Sequence, residues 1–143
     1  MTSEQTYYDY DRLLERAYSM LPKKAFEKRR ERFVIPKADV IVSGKKTFIT
    51  NFKQICETIN RDPKVLLKFL LKELGSPGEV ADQAAMIQGE FPSKTIITLI
   101  NRFVKSYVIC PVCNSPDTML VKEKKIVYLK CMACGATSPV RPI

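Results

Sequence analysis

Residues 110–134, CPVCNSPDTMLVKEKKIVYLKCMAC, carry the most specific pattern in the chain. Cys110 and Cys113 form one C-x-x-C motif, and Cys131 and Cys134 form a second one further along. Four thiolates are a ligand set of tetrahedral Zn²⁺, and the two-residue spacing lets one tight turn present both sulfurs of a pair. The pattern therefore predicts one structural zinc ion bound by all four cysteines, with no position left open for a substrate.

The residues around the cysteines predict two tight turns joined by a small antiparallel sheet. Each turn needs a left-handed residue soon after its second cysteine, and Asn114 and Gly135 tolerate that conformation. Between the turns, TMLV (118–121) and IVYLK (126–130) flank a charged segment, which is typical of a β-hairpin. The segment ATSPV (136–140) can add a third short strand. Three short antiparallel strands with two such turns are the pattern of a zinc ribbon.

Two disulfides or a redox C-x-x-C are the alternatives to a zinc site. The N-terminus lacks the pattern of a secretory signal, and no apolar run approaches the ~18 residues of a membrane span. We therefore expect a cytoplasmic protein without a membrane partner, in which cysteines stay reduced. The chain contains no histidine that could compete as a ligand. The fifth cysteine, Cys56, lies on a predicted helix, where we expect it in the core.

Residues 34–106 predict a small core domain of helices and strands, which makes the whole chain an α+β protein. β-Branched residues around a Ser-Gly-Lys turn predict a hairpin over residues 38–50, and DQAAMIQGEF (82–91) predicts another strand. Helical patterns cover three further segments, and the middle one is apolar around most of its circumference, so we expect it at the centre of the core. These predicted helices span residues 51–60, 63–74 and 94–107. The segment ELGSPGE (73–79) predicts only a helix stop and a turn.

Capping residues predict where the helices begin and end. Asn51, followed three residues later by Gln54, resembles a capping box. Asp62 and Ser93 are expected to cap the next two helices. Gly75 is a natural C-terminal stop for the helix that begins after Asp62.

The segment YYDYDRLLERAYSMLP (7–22) predicts an amphipathic helix that has no core of its own. A helix this short is marginal in water by itself. Its apolar side is therefore expected to be covered, either by a partner or by residues 33–106 of the same chain. The residues of that side are Tyr7, Tyr10, Leu13, Leu14, Ala17, Tyr18 and Leu21.

The chain carries a formal net charge of +9, and its densest basic run follows this helix. Such an excess suits an anionic partner such as RNA, although a soluble linker is the alternative. The sequence thus divides into a docking helix (1–22), a basic linker (23–33), a core domain (34–106) and a zinc ribbon (107–143). The basic residues of the linker are Lys23, Lys24, Lys28, Arg29, Arg30 and Arg32.

Nothing in the sequence predicts an enzyme. There is no histidine for acid–base chemistry, no glycine-rich phosphate loop and no G-K-[ST] motif. The acidic residues occur singly along the sequence, and helix caps or surface positions account for most of them. The pattern favours a binding module with three attachment surfaces: the helix, the linker and the ribbon.

The order of these parts resembles the beta-subunit family of archaeal translation initiation factor 2 over nearly the whole chain. The match is carried by YDYDRLLERAYSMLP (8–22), by INRDPKVLLKFLLKELGSPGEV (59–80), and by FVKSYVICPVCNSPDT (103–118) with the second cysteine pair. Lys64 departs from the histidine expected in many relatives. The length fits the archaeal form, and the lysine-rich N-terminal extension of the eukaryotic homologue is absent.

The resemblance implies a subunit of a heterotrimeric factor that delivers initiator methionyl-tRNA to the small ribosomal subunit. In that family the gamma subunit binds GTP and carries the tRNA, and the alpha and beta subunits attach to it. The N-terminal helix of the beta subunit packs on the GTP-binding domain, while its middle domain and ribbon lie near the switch regions and the tRNA. GTP hydrolysis is therefore expected on the gamma subunit.

Two other functions compete with this interpretation. The N-terminal part of translation initiation factor 5 shares the middle domain and ribbon but promotes GTP hydrolysis with an arginine in a flexible tail. The present chain instead begins with a predicted helix that has aromatic anchors. A transcription factor that uses its ribbon and basic linker on DNA is the alternative from a different class.

Overall fold

The computed structural model describes residues 9–22 and 33–143 of the 143-residue chain. The chain divides into two units, Met1–Val34 and Ile35–Ile143. Within the described ranges, no helix combines the length and apolar character that crossing a membrane would require.

In the first unit, helix α1 spans Tyr10–Met20. The Asp9 carboxylate caps its N-terminus by accepting a hydrogen bond from the backbone N–H of Asp11 at 3.3 Å. Every residue from 9 to 22 is exposed. The helix was expected to begin at Tyr7, which lies outside the described residues.

The second unit contains a four-stranded antiparallel sheet in the order β1-β2-β4-β3. The predicted hairpin and the predicted strand are confirmed as β1, β2 and β4. The sequence does not predict strand β3, because two of its four residues, Gly78 and Glu79, fall in the segment that predicts a turn. Strand β3 forms because it pairs with β4. The strands are β1 Val40–Ser43, β2 Lys46–Ile49, β3 Gly78–Ala81 and β4 Ala84–Gln88.

Three helices build the core with this sheet: α2 Phe52–Ile59, α3 Pro63–Leu74 and α4 Ser93–Tyr107. As predicted, α3 contributes a large part of the core, with Leu66 and Leu70 fully buried. Cys56 of α2 is also buried, as expected, and burial, with smaller contributions from Asp62 and Glu57, raises its pKa to about 12. This thiol is therefore a neutral packing residue at physiological pH.

An aromatic cluster joins α3 to α4. The ring of Phe69 lies 5.2 Å from Phe103 and 5.7 Å from Tyr107, measured between ring centroids. Phe103 and Tyr107 stack with their centroids 5.2 Å apart. Offset and edge-on pairs at such distances add stability beyond the burial of their area.

Two of the predicted caps are confirmed. The Asp62 carboxylate accepts a hydrogen bond from the backbone N–H of Lys64 at 2.8 Å, at the start of α3. Gly75 ends α3 with φ 63°, a conformation that costs glycine nothing.

The other two residues make no side-chain capping bond, although Asn51 does occupy the predicted N-cap position of α2. Asn51 makes no capping bond to α2. Its side chain instead accepts from the N–H of Asp39 at 3.0 Å and donates to the carbonyl of Lys37 at 2.7 Å, which ties it to the segment before β1. Ser93 is already the first residue of α4, and Pro92 takes the cap position without a side-chain bond. The fixed φ of proline holds the extended conformation there.

The C-terminal part forms a separate three-stranded antiparallel sheet in the order β5-β6-β7. Its strands are β5 Thr118–Glu123, β6 Ile126–Cys131 and β7 Thr137–Val140. The register pairs Thr118 with Cys131 across β5 and β6. With the two cysteine turns at one end, this sheet confirms the predicted ribbon and the α+β class.

A buried arginine connects the core helices to the ribbon. The Arg61 guanidinium donates five hydrogen bonds. Nε and Nη2 donate to the carbonyl of Tyr107 at 3.2 and 2.8 Å. Nη1 donates to the carbonyls of Asn60 and Thr118 at 2.9 and 2.7 Å, and Nη2 also reaches Thr118 Oγ1 at 2.7 Å. The Thr118 hydroxyl in turn donates to the carbonyl of Val108.

These contacts fix the place where the ribbon leaves the core, because Tyr107 ends α4 and Thr118 begins β5. Burial lowers the pKa of Arg61 to about 10, which leaves the side chain charged at neutral pH. The charge is satisfied by backbone dipoles and one hydroxyl rather than by a carboxylate. Such an arrangement is costly to interrupt, since the buried carbonyls of Tyr107 and Thr118 would be left without these donors.

We predict that Arg61→Leu lowers the free energy of unfolding by about 2–4 kcal/mol, because the carbonyls of Tyr107 and Thr118 lose their donors. Urea denaturation followed by circular dichroism measures the change. Arg61→Lys should recover little, since an ammonium group cannot reproduce the guanidinium fork.

The control is Arg102→Leu, which removes an exposed arginine whose Nη1 lies 3.0 Å from Glu73 Oε2. That surface ion pair should contribute no more than about 1 kcal/mol. Equal effects of the two arginine-to-leucine changes would contradict the role given to Arg61.

Candidate metal centre and partner surfaces

The four predicted ligands lie together at one end of the ribbon. The sulfurs of Cys110, Cys113, Cys131 and Cys134 all lie within 4.8 Å of one another. Cys110 Sγ is 3.6 Å from Cys134 Sγ, and Cys113 Sγ is 3.5 Å from Cys131 Sγ. Each short distance therefore joins the two motifs rather than the two cysteines of one motif.

The two C-x-x-C turns have the same backbone pattern. The carbonyl of Cys110 accepts from the N–H of Asn114 at 2.9 Å, and the carbonyl of Cys131 accepts from the N–H of Gly135 at 3.1 Å. Asn114 and Gly135 adopt φ values of 56° and 75°. These are the left-handed positions that the sequence predicts, and they let each turn close directly after its second cysteine.

Backbone N–H groups point at the sulfur of the first cysteine in each turn. Val112 N–H lies 3.4 Å from Cys110 Sγ, and Cys134 N–H lies 3.5 Å from Cys131 Sγ. Hydrogen bonds from the backbone of Cys113 and Val112 lower the pKa of Cys110 to about 7. The pKa of Cys131 is lowered in the same way, chiefly by the N–H of Cys134. Hydrogen bonds of this kind stabilise the thiolate, which is the form that binds metal. The pKa values of Cys113 and Cys134 are raised instead, by burial and by the neighbouring thiols.

The geometry fits a single tetrahedral ion. A metal with four sulfurs at ~2.3 Å separates those sulfurs by roughly 3.8 Å, close to the distances across the two turns. A disulfide would need about 2.05 Å, and all five cysteines are free. Four thiolates around one point suit a soft or borderline cation. The cluster can therefore hold one metal ion.

Helix α1 presents the predicted partner surface. Side chains at i, i+3, i+4 and i+7 share one face of a helix. Leu13 and Leu14 are 45% and 39% exposed, although leucines are usually buried. Tyr7 lies outside the described residues. The remaining predicted contact residues all lie on or next to α1 and are exposed: Tyr10, Leu13, Leu14, Ala17, Tyr18 and Leu21.

The predicted RNA-contacting residues fall between the two described ranges. Lys23, Lys24, Lys28, Arg29, Arg30 and Arg32 all lie outside the residues that the structure describes.

Sequence reasoning missed the role of Arg61. Arg61 precedes the Asp62 cap, and in the sequence it resembles any solvated arginine between two helices. Its partners at Tyr107 and Thr118 lie 46 and 57 residues away. A faint signal was present, since the arginine directly follows the apolar face of α2.

The comparisons with known proteins agree with the geometry. Residues 23–137 match the family described as a domain found in initiation factors 2B and 5. Translation initiation factor 2 subunit beta of Thermofilum pendens is 52% identical over 138 residues, covering 96% of this chain and 98% of the relative. The proteins of the same name in Staphylothermus marinus and Methanococcus aeolicus are 50% and 46% identical, and each alignment covers at least 95% of this chain and of the relative.

Proposed function

Because the chain belongs to the family of archaeal translation initiation factor 2 beta subunits, we propose that it docks through α1 on a GTP-binding gamma subunit. As a member of that family it takes part in translation initiation, and a beta subunit implies other subunits. The single observation that carries the docking proposal is the exposed apolar face of α1. Two leucines exposed to water contribute no hydrophobic stabilisation, whereas their burial against a partner surface would be favourable.

The complex would deliver initiator methionyl-tRNA to the small ribosomal subunit in the cytoplasm, with the alpha subunit attached through gamma. GTP binding and hydrolysis would belong to the gamma subunit, so this chain acts as a binding subunit rather than an enzyme. The relatives are likewise named as subunits of an initiation factor. The core (34–106) and ribbon (107–143) would act close to the tRNA and the GTPase.

A module like that of initiation factor 5 is the nearest alternative, since the matched domain occurs in both groups. The relatives named as initiation factor 2 beta align over 96% of this chain. That alignment is longer than the core and ribbon together. This full-length match favours the beta subunit over both the factor 5 module and a DNA-binding transcription factor.

The metal in the cysteine cluster would be Zn²⁺, in a structural role. Four thiolate ligands suit zinc and leave no open coordination position for catalysis. Residues 107–143 bury little apolar surface, so the folding of the ribbon would depend on the metal.

We predict one zinc ion per chain, and we predict that Cys113→Ser abolishes its binding. Residues 107–143 should then unfold while the core keeps its structure, because ribbon folding energy is largely metal-binding energy. Elemental analysis gives the zinc content, and amide NMR spectra separate the core from the ribbon. Cys56→Ala is the matched control and should retain the zinc. Protein prepared without chelator that contains no zinc would contradict the assignment.

We predict that Leu14→Asp weakens association with the gamma subunit by at least ~30-fold, because central anchors of an interface carry about 2 kcal/mol or more. Deletion of residues 1–22 should abolish binding and leave the rest folded with its zinc. Arg12→Ala, on the opposite face of α1, is the control and should have little effect. Calorimetric titration of gamma with each variant measures the affinities. If the truncated chain binds as tightly as the full chain, the helix is not the docking element.

We predict that the linker contributes non-specific RNA affinity through phosphate contacts. Replacing Lys28, Arg29, Arg30 and Arg32 with glutamine should weaken binding to unrelated RNAs alike and flatten its salt dependence by about 0.7 per lost contact. Filter binding at several salt concentrations measures the slope. The control neutralises four exposed lysines of the core: Lys45, Lys53, Lys94 and Lys105. An unchanged slope in the linker variant would mean that the run is only a soluble linker.

A further inference from the structure

A cleft of about 520 Å³ lies between α3 and one face of the ribbon sheet. Val65 of α3 lines one wall, and Leu120 and Val127 of the ribbon line the other. Pro142 and Ile143 close one side, where Lys72 Nζ donates to the carbonyl of Pro142 at 3.3 Å. The volume lies within the ~300–1,000 Å³ range of ligand-binding clefts. None of the four cysteines of the metal cluster lines the cleft.

Four lysines line the same cleft, and no acidic residue does. Lys68 lies one turn after Val65 on α3, and Lys122, Lys124 and Lys125 come from the end of the β5–β6 hairpin. All four are exposed, and none forms an ion pair with another residue that the structure describes. Alternation along β5 places Glu123 on the opposite face from Lys122. The cleft therefore combines an aliphatic floor with a rim of four lysine side chains.

The hairpin turn itself departs from the usual turn chemistry. Lys124 adopts φ 55°, whereas the other described residues with positive φ are glycine, asparagine or aspartate. A two-residue hairpin loop normally carries Asn-Gly or Asp-Gly. A lysine in the left-handed region is strained, because its Cβ approaches the following carbonyl oxygen. A residue that breaks a local rule in this way is expected at a functional site, and here it places a charge at the cleft.

We propose that this cleft docks an acidic amphipathic segment of a partner protein. Its aliphatic side chains would occupy the floor formed by Val65, Leu120 and Val127, and its carboxylates would face the lysine rim. Apolar anchors within a charged border are the mode by which amphipathic helices bind grooves. RNA fits less well, since single strands are held by aromatic or arginine stacking and the cleft is lined by neither.

The test uses the full-length zinc-loaded chain and a fluorescein-labelled synthetic peptide of about 14 residues, with leucines at i, i+3, i+4 and i+7 and glutamates elsewhere. Fluorescence anisotropy should show saturable binding, and Lys124→Glu/Lys125→Glu should weaken it by at least ~10-fold. Lys68→Glu, on the other wall, should also weaken it. Lys94→Glu/Lys105→Glu, which changes the same net charge on α4, is the matched control and should stay within about twofold. Since no other subunit is present, the outcome does not depend on docking through α1.

Two further probes distinguish the alternatives. A peptide with glutamine in place of every leucine should bind at least ~10-fold more weakly, because it lacks the side chains for the floor. If that peptide binds with equal affinity, the interaction depends on charge alone and the proposal is overturned. The second probe is an oligouridylate. If the Lys124→Glu/Lys125→Glu variant loses affinity for the oligouridylate but not for the leucine peptide, the cleft is a nucleic-acid surface and the proposal is overturned.

Discussion

The arrangement of residues 35–143 depends on one buried guanidinium. Arg61 lies between the first two helices of the core, yet its hydrogen bonds reach the end of α4 and the start of β5. No other described side chain joins these three places. A planar guanidinium can donate to several carbonyls at once, so one arginine is able to fix the position of the ribbon. A salt bridge or a single hydrogen bond would leave the ribbon free to rotate.

The ribbon itself has only a small core. Its own strands are short, and its buried side chains include Leu129 and two cysteines of the metal cluster. The cysteine cluster organises one end of the sheet from within, whereas Arg61 fixes the sheet to the core from outside. The cleft beside α3 is a result of this second attachment, since its two walls come from the core and from the ribbon.

Local chemistry decides which features the sequence could predict. Asp62 and Gly75 act on their own helix, and Asn114 and Gly135 act on their own turns, so their roles follow from neighbouring residues. The cysteine spacing is equally local and predicted the cluster. The bonds of Asn51 were predicted wrongly and the role of Arg61 was not predicted, because their partners are distant in sequence: Asn51 bonds to Asp39, and Arg61 bonds to Thr118. Strand β3 was missed for the same reason, as only its pairing with β4 makes it a strand.

Thr118 belongs to two networks at once. Its carbonyl and hydroxyl accept hydrogen bonds from Arg61, and its cross-strand partner in the sheet is Cys131 of the cysteine cluster. A metal held by the cysteines would therefore be coupled to the folding of the core through Thr118. Such coupling is reciprocal: a change that destabilises the core would lower the affinity for the metal, and loss of the metal would destabilise the core by the same factor. The ribbon would thus report, through Thr118, on the integrity of the core domain.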